Sequence, residues 1–221
     1  MKAVTPECSL ANYKKLRWQV IHRDTHGGPR SDTCGKHRER GRDAGDAADA
    51  GDLCVVASDG KPMNIKSRHH LRSDDVREIE SALGNELGVH VNGDQYELVE
   101  FEEDEYDLVL VDGEPLVLYV DDEPFLTVRG ANEYDPTSHV VTVDAGAVEF
   151  VSDGADVMRP GITEADETIA EGDLVVIVEE AHGKALAVGR AMVDGDDLLG
   201  DSGKVIESLH HVGDELYGFA P

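Results

Sequence analysis

The chain has 221 residues and a formal net charge of −27, because 47 Asp and Glu outnumber 20 Lys and Arg. No segment approaches the roughly 18 consecutive apolar residues of a membrane span, and the N-terminus lacks the charged-then-apolar pattern of a signal peptide. Length and composition therefore predict a soluble, cytoplasmic protein of one large or two small domains, with no membrane partner.

The charge is distributed unevenly along the chain. Residues 1–62 carry 11 Lys and Arg against 9 Asp and Glu, whereas residues 63–221 carry 9 against 38, a formal charge of −29. Carboxylates at this density suit a cytoplasm of molar salt, where the Debye length falls to about 3 Å and repulsion is screened. Intrinsic disorder is the alternative for so acidic a chain, but the periodic Val, Leu and Ile runs argue against it. We therefore expect a halophilic protein that loses structure on dilution to low salt.

Residues 1–62 show no sustained hydrophobic period. The run from 26 to 60 is rich in Gly, Arg, Asp and Ala, and such a segment buries too little apolar area to offset the entropy of ordering it. We interpret residues 1–62 as an unstructured extension. A misassigned start, with translation beginning at Met63, is favoured over a genuine tail.

Residues 63–138 predict one helix and an antiparallel meander. Ser73 can cap a helix that carries Val, Ile and Leu at three- and four-residue spacing and ends at Gly88. Turns are expected at 112–113 and 121–122, and a polar linker at 132–138. Four short β-like runs follow the helix, starting at Tyr96, Tyr106, Glu114 and Glu123.

Residues 139–219 predict a small, partly open barrel. A strand begins at His139, and Asp144 can cap a short helix that ends at 153–154. Many short strands separated by glycines, with one embedded helix, are typical of such barrels. Further strands are expected from Leu174, Ala185, Lys204 and Glu215.

Motifs for catalysis are missing from the sequence. Neither Gly-Lys pair completes a phosphate-binding loop, and no G-x-S-x-G or H-E-x-x-H occurs. The carboxylates of residues 100–105 are interpreted as a solvated acidic face. Cysteine and histidine in residues 1–62 include zinc-compatible ligands, but their spacing fits no paired zinc knuckle. We therefore expect no enzyme activity, no catalytic residue, no metal and no cofactor.

The basic residues after position 62 are few and their placement is informative. Three of the nine, Lys66, Arg68 and Arg72, lie within seven positions, and the others stand mostly beside glycine or proline. Cations next to closely approachable backbone suit phosphate contacts, and these three are candidate RNA contacts. Structural ion pairs with the abundant carboxylates explain the same pattern equally well.

Residues 139–219 resemble a PUA domain, the RNA-binding module named for pseudouridine synthases and archaeosine transglycosylases. GADVMRPGI at 154–162 is the most specific segment of this resemblance. Residues 63–138 resemble the domain that precedes PUA in archaeal relatives of the malignant T-cell-amplified and translation machinery-associated proteins, through KSRHHLRSDD and DGEPLVLYVDDEPFLTVRGA. The implied fold is α+β, with an N-terminal helix plus antiparallel meander (pre-PUA) at 63–138, then a PUA pseudo-barrel at 139–219. The resemblance also supports Met63 as the residue at which translation starts.

The resemblance implies a ribosome-associated, RNA-binding protein that acts in translation initiation or in recycling of the small subunit. Its partners would be small-subunit ribosomal RNA or tRNA, the small ribosomal subunit and a second protein. RNA would lie against the short helix, the glycine loop and the last strand; Met158 serves equally well as a core side chain. The implied RNA-binding residues are Gly154, Ala155, Met158, Arg159, Pro160 and Gly161, and less strongly Gly203, Lys204 and His210.

Two other functions stay open at this point. The chain could be an RNA-binding accessory subunit of a tRNA-modifying enzyme such as archaeosine tRNA-guanine transglycosylase. It could instead be a protein-interaction module that binds a partner through the meander at 96–129. Co-purification separates the ribosomal factor, which would retain small subunits, from the accessory subunit, which would retain a transglycosylase-like enzyme with tRNA. For the protein-interaction module, Arg159→Ala would leave the cellular association unchanged.

Overall fold

The computed structural model of the protein describes residues 55–56, 62–102 and 106–221. Most of the extension expected at 1–62 and the carboxylates at 103–105 therefore lie outside the described residues. Within 55–63, two short strands pair antiparallel: β1 (Val55–Val56) and β2 (Pro62–Met63). Across the described residues, no helix is long and apolar enough to cross a membrane.

Residues 62–138, the first half, build a five-stranded antiparallel sheet in which every strand neighbours the next in sequence. The predicted meander is present and gains one strand at its edge, which comes from the basic segment before the first helix. The strands are β3 (Ile65–His70), β4 (Tyr96–Phe101), β5 (Asp107–Val111), β6 (Glu114–Val120) and β7 (Glu123–Leu126).

The helix predicted after the basic segment is α1 (Ser73–Glu86). Its cap lies one residue earlier than predicted: Arg72 is the N-cap, and its backbone N–H donates to the Asp75 carboxylate at 3.4 Å. Ile79 and Leu83 are fully buried, as their four-residue spacing requires. The helix stops before Gly88, whose φ of +69° suits a residue without a side chain.

A second helix, α2 (Val128–Tyr134), replaces part of the predicted last strand and linker. Thr127 supplies the reason, because its hydroxyl accepts a hydrogen bond from Gly130 N at 3.0 Å and caps the helix. Gly130 is needed at that position, since a Cβ there would come within 2.1 Å of the Leu116 carbonyl oxygen. Sequence periodicity alone could not reveal so short a helix.

Residues 139–221, the second half, build a six-stranded sheet that forms a nearly closed barrel. The strands are β8 (Val140–Val143), β9 (Val157–Met158), β10 (Ile162–Ala165), β11 (Leu174–Glu179), β12 (Ala185–Ala191) and β13 (Lys204–His211). Their order across the sheet is β10-β8-β11-β12-β13-β9, and within it only β8 and β11 run parallel. The short helix α3 (Val148–Ser152) precedes β9, and Val141, Val175 and Ile206 are fully buried in the core.

The strand expected from Glu215 is wrong, because residues 212–218 form turns. Asp214 holds them: its carboxylate accepts hydrogen bonds from Tyr217 N at 2.7 Å and His211 N at 2.9 Å. These bonds bend the chain so that the Phe219 ring meets Phe101 of the first half edge-on, with 5.6 Å between ring centroids. The segment thus joins the two halves instead of extending the barrel.

A second set of contacts between the halves comes from α2. The Asn132 side-chain amide pairs with the Ala185 backbone, donating to its carbonyl at 3.0 Å and accepting from its N–H at 3.1 Å. One turn earlier, Arg129 donates to the Tyr217 carbonyl at 2.6 Å and stacks over the tyrosine ring. An amide that satisfies both backbone groups of a nearly buried residue fixes the position of the second half on the first.

Candidate functional site

The loop after α3 passes directly over the last strand. Gly154 has a φ of +84°, and a Cβ placed on it would lie 2.6 Å from Nε2 of His211. The imidazole is oriented through its other nitrogen, which lies 2.9 Å from the Ser152 carbonyl oxygen and 3.0 Å from that of Val212. Both partners are acceptors, so Nδ1 carries the proton and Nε2 of the neutral ring is an acceptor.

Arg159 connects this loop to the segment between β12 and β13. Its Nε donates to the Asp197 carbonyl at 2.8 Å and its NH1 donates to the Ser202 carbonyl at 3.0 Å. The guanidinium has five N–H donors, so three remain for other acceptors. A Cβ on Gly203 would lie 3.0 Å from NH1, and one on Gly200 would lie 3.1 Å from the Arg159 side chain.

The three predicted glycines therefore have intramolecular reasons to be glycine. Gly154 makes room for an imidazole, Gly203 makes room for a guanidinium, and a Cβ on Gly161 would come within 2.9 Å of Ala147. We expected these residues to allow close approach of RNA backbone. Contacts within the chain already account for them, so the candidate interface depends on the side chains they position.

Lys204 and its neighbours form a small polar cluster on β13. Its ammonium lies 3.0 Å from the Asp156 carboxylate, which also accepts a hydrogen bond from Ser208 N at 3.0 Å. The bond from Ser208 N and the pairing with Lys204 outweigh burial and hold the pKa of Asp156 below its ordinary value. Lys204 is 39% exposed, so it can meet a further anion only in competition with Asp156.

His210 is placed differently from what the sequence suggested. Its side chain is 1% exposed, and Nδ1 lies 2.7 Å from the Asp214 carboxylate. In this conformation the side chain is closed off from solvent, and the contact of His210 with RNA stays a prediction. Neighbouring residues of a strand point to opposite faces, which leaves His211 as the histidine near the glycine loop. Ala155 and Pro160 are exposed as predicted for contact residues, and Gly154 and Gly161 are partly exposed.

Met158 lies on the surface with 49% of its area exposed, so its alternative interpretation as a core side chain is wrong. Phe150 of α3 is 65% exposed and Leu199, beside the segment held by Arg159, is 50% exposed. Exposed aromatic rings and thioethers are suited to stacking on unpaired bases. Sequence reasoning missed Phe150, although an aromatic residue in a five-residue helix of a chain with four Phe is a detectable signal.

The basic segment lies on β3, at the edge of the first sheet. Arg68 is bound to the Glu97 carboxylate at 2.6 Å, and this bond lowers the pKa of Glu97. Lys66 and Arg72 are exposed and make no ion pair among the described residues. Of the three predicted contacts, Lys66 and Arg72 therefore have no carboxylate partner in the described part of the chain, whereas the charge of Arg68 is compensated.

The two explanations offered for the nine basic residues after position 62 each hold for part of them. Five contact a carboxylate within the described chain: Arg68, Arg77, Arg129, Arg190 and Lys204. In that same part of the chain four have no carboxylate partner: Lys66, Arg72, Arg159 and Lys184. The structure leaves a minority of the cations for a ligand, spread over both halves.

Comparison with known proteins identifies the fold and the relatives. Residues 139–212 match the family model of the PUA domain. An uncharacterized protein of Methanocaldococcus jannaschii is 36% identical over 164 residues, covering 71% of this chain and 99% of that protein. Translation machinery-associated protein 20 of Saccharomyces cerevisiae is 35% identical over 133 residues, covering 57% of this chain and 73% of that protein.

A solved structure agrees with these relatives. The crystal structure of a hypothetical protein from Pyrococcus horikoshii matches with a TM-score of 0.62 at 32% identity, covering 68% of this chain and 98% of that one. The similarity therefore extends through both halves. The chain belongs to the family of PUA-domain proteins that includes translation machinery-associated protein 20 and malignant T-cell-amplified sequence 1.

Proposed function

We propose that the protein is a non-catalytic, cytoplasmic RNA-binding factor that associates with the small ribosomal subunit and acts in translation initiation or subunit recycling. The observation that carries the proposal is the family match through both halves to a protein named for association with the translation machinery. A PUA domain supports RNA binding in general. Association with the small ribosomal subunit is the more specific part of the proposal.

The geometry indicates how such a protein could bind RNA despite its charge. Arg159 is held by two hydrogen bonds to backbone carbonyls and, among the described residues, has three N–H donors left; Met158 on β9 and Phe150 on α3 are exposed. Lys66 on β3 adds an exposed cation without a carboxylate partner in the described ranges. A site with few cations and several exposed apolar side chains suits single-stranded or looped RNA, where bases can stack. Such contacts also persist in concentrated salt, which weakens phosphate contacts.

The test is a pull-down of the full chain from a lysate of a salt-adapted archaeon in concentrated KCl, with the bound RNA sequenced. The double variant Arg159→Ala, Lys66→Ala removes two cations that have no carboxylate partner among the described residues. Arg77→Ala is the matched control, because it removes an exposed arginine of α1 that is paired with Asp74. We expect small-subunit RNA with the wild type and the control, and much less with the double variant.

Two results would contradict the proposal. Enrichment of tRNA together with a modifying enzyme would replace it with the accessory-subunit function. Equal recovery of small-subunit RNA by wild type and double variant, with unchanged circular dichroism, would show that the predicted surface does not hold the RNA.

A further inference from the structure

A cavity of about 320 Å³ lies between the two halves, beside the glycine loop. Met63 and Tyr106 of the first half form one side of it. Gly154, Ser208 and His211 of the second half form the other side, at the surface predicted to hold RNA. Its volume falls at the lower end of the roughly 300–1,000 Å³ range of small-ligand sites, so it can take a group the size of one nucleotide.

The charges around the cavity exclude a phosphate as its occupant. Among the described residues that line it, none is Lys or Arg, and Asp214 and Glu215 are carboxylates. Phosphate would meet repulsion there without a compensating cation. Leu209, Leu216 and Met63 provide apolar walls, and Tyr106 and His211 contribute rings. An uncharged, flat group fits these walls better than an anion does.

The polar atoms of the cavity are mostly acceptors. His211 presents Nε2 as an acceptor, because Nδ1 already faces two carbonyl oxygens. Glu215 contributes a carboxylate that makes no hydrogen bond within the described chain. The hydroxyl of Ser208 is shielded from solvent and also has no partner among the described residues. A buried polar group without a partner is destabilising, and a ligand with N–H donors would correct this.

We propose that this cavity binds one unpaired nucleobase carrying an exocyclic amine, through Nε2 of His211 and the neighbouring acceptors, while the backbone of the same RNA remains on the open surface. The inference rests on the proposed RNA-binding function. It makes the first half part of the RNA site, because Met63 and Tyr106 form one side of the cavity. Uracil, which presents carbonyl oxygens where adenine and cytosine present an amine, is disfavoured.

The experiment measures binding of the full chain to three oligoribonucleotides of equal length by fluorescence anisotropy. One is oligouridylate, the second carries a single central adenosine, and the third carries purine riboside there, which lacks the amine. About 1 M KCl reduces the phosphate contribution, since the Debye length is then near 3 Å. We expect the adenosine strand to bind about 5- to 100-fold more tightly than the other two, as for one base read by specific hydrogen bonds.

Two variants locate the effect in the cavity. His211→Phe keeps a ring but removes the acceptor, and His182→Phe is the matched control at an exposed histidine on the β11–β12 turn. Ser208→Ala removes a hydroxyl that bonds to nothing in the described chain, so the fold should be unaffected. His211→Phe should abolish the adenosine preference and Ser208→Ala should reduce it, with oligouridylate binding unchanged in both.

Each other outcome refutes a defined part of the reasoning. Equal binding of the three strands by wild type overturns the base pocket and leaves RNA binding standing. A preference that survives both His211→Phe and Ser208→Ala places base recognition elsewhere and also overturns the inference. Failure of every strand to bind in concentrated KCl, where circular dichroism shows the protein to be folded, refutes the RNA-binding function and the pocket together.

Discussion

Substitution of Gly154 by Ala tests whether the glycine loop is shaped by the protein itself. At φ +84° an alanine costs about 1–2 kcal/mol for the left-handed conformation. The new Cβ would also lie 2.6 Å from Nε2 of His211, and moving the ring would break a hydrogen bond to Ser152 worth about 1 kcal/mol. The free energy of unfolding should therefore fall by about 2–3 kcal/mol.

Gly172→Ala is the control for this change. Gly172 has a φ of +99°, and no described atom lies within 4 Å of a Cβ placed there, so this variant reports backbone strain without a clash. Urea denaturation at constant KCl should show a smaller loss for Gly172→Ala, by about 1 kcal/mol. In a His211→Ala background the cost of Gly154→Ala should fall to that of the control. Equal costs for the two glycines in the wild-type background would refute the steric argument.

The other predictions concern the join between the halves, the C-terminal turn and salt. Asn132→Ala strips both backbone groups of Ala185 of their partners and should cost about 2–3 kcal/mol in urea denaturation, whereas Asn85→Ala on the exposed face of α1 should cost little. Burial raises the pKa of Asp214, but hydrogen bonds from His210 and from backbone N–H groups outweigh it and hold the pKa below 3.8. The stability that Asp214 contributes is therefore complete above the pKa of the unfolded state and is lost as pH falls through the lower pKa of the folded state. If Asp214→Asn lost stability toward acid pH in the same way as the wild type, this reasoning would be contradicted. Dilution from molar to low KCl should reduce the helix and sheet signal in circular dichroism, and equal spectra at both salt levels would oppose halophilic adaptation.

The sequence predicts the features of the fold that depend on neighbouring residues. Strand β6 and the turn at 112–113 follow from a local apolar run and from an Asp-Gly pair that tolerates positive φ. The helix α2 was missed, because its seven residues read as the end of one strand and a linker. The segment from Glu215 reads as a strand by composition, but the hydrogen bonds of Asp214 turn it back.

The sequence indicates which segment forms the candidate site, but not which contacts hold that segment in position. The segment around Arg159 stands out by its motif, and the structure puts that residue at the loop junction. The sequence could not show that the Arg159 guanidinium donates two hydrogen bonds to backbone carbonyls near residue 200, because these partners lie about 40 positions away in the chain. The same limit applies to Gly154 and His211, whose contact joins residues that no local pattern relates.

The pairing of five basic side chains with carboxylates has a consequence for the rate of RNA encounter. Cations already neutralised within the chain, on a surface with a large excess of acid, provide no attractive field to guide an approaching polyanion. Association should then proceed at the unsteered rate of about 10⁵–10⁶ M⁻¹s⁻¹. Differences in affinity between RNAs would consequently arise from how long each complex survives, not from how fast it forms.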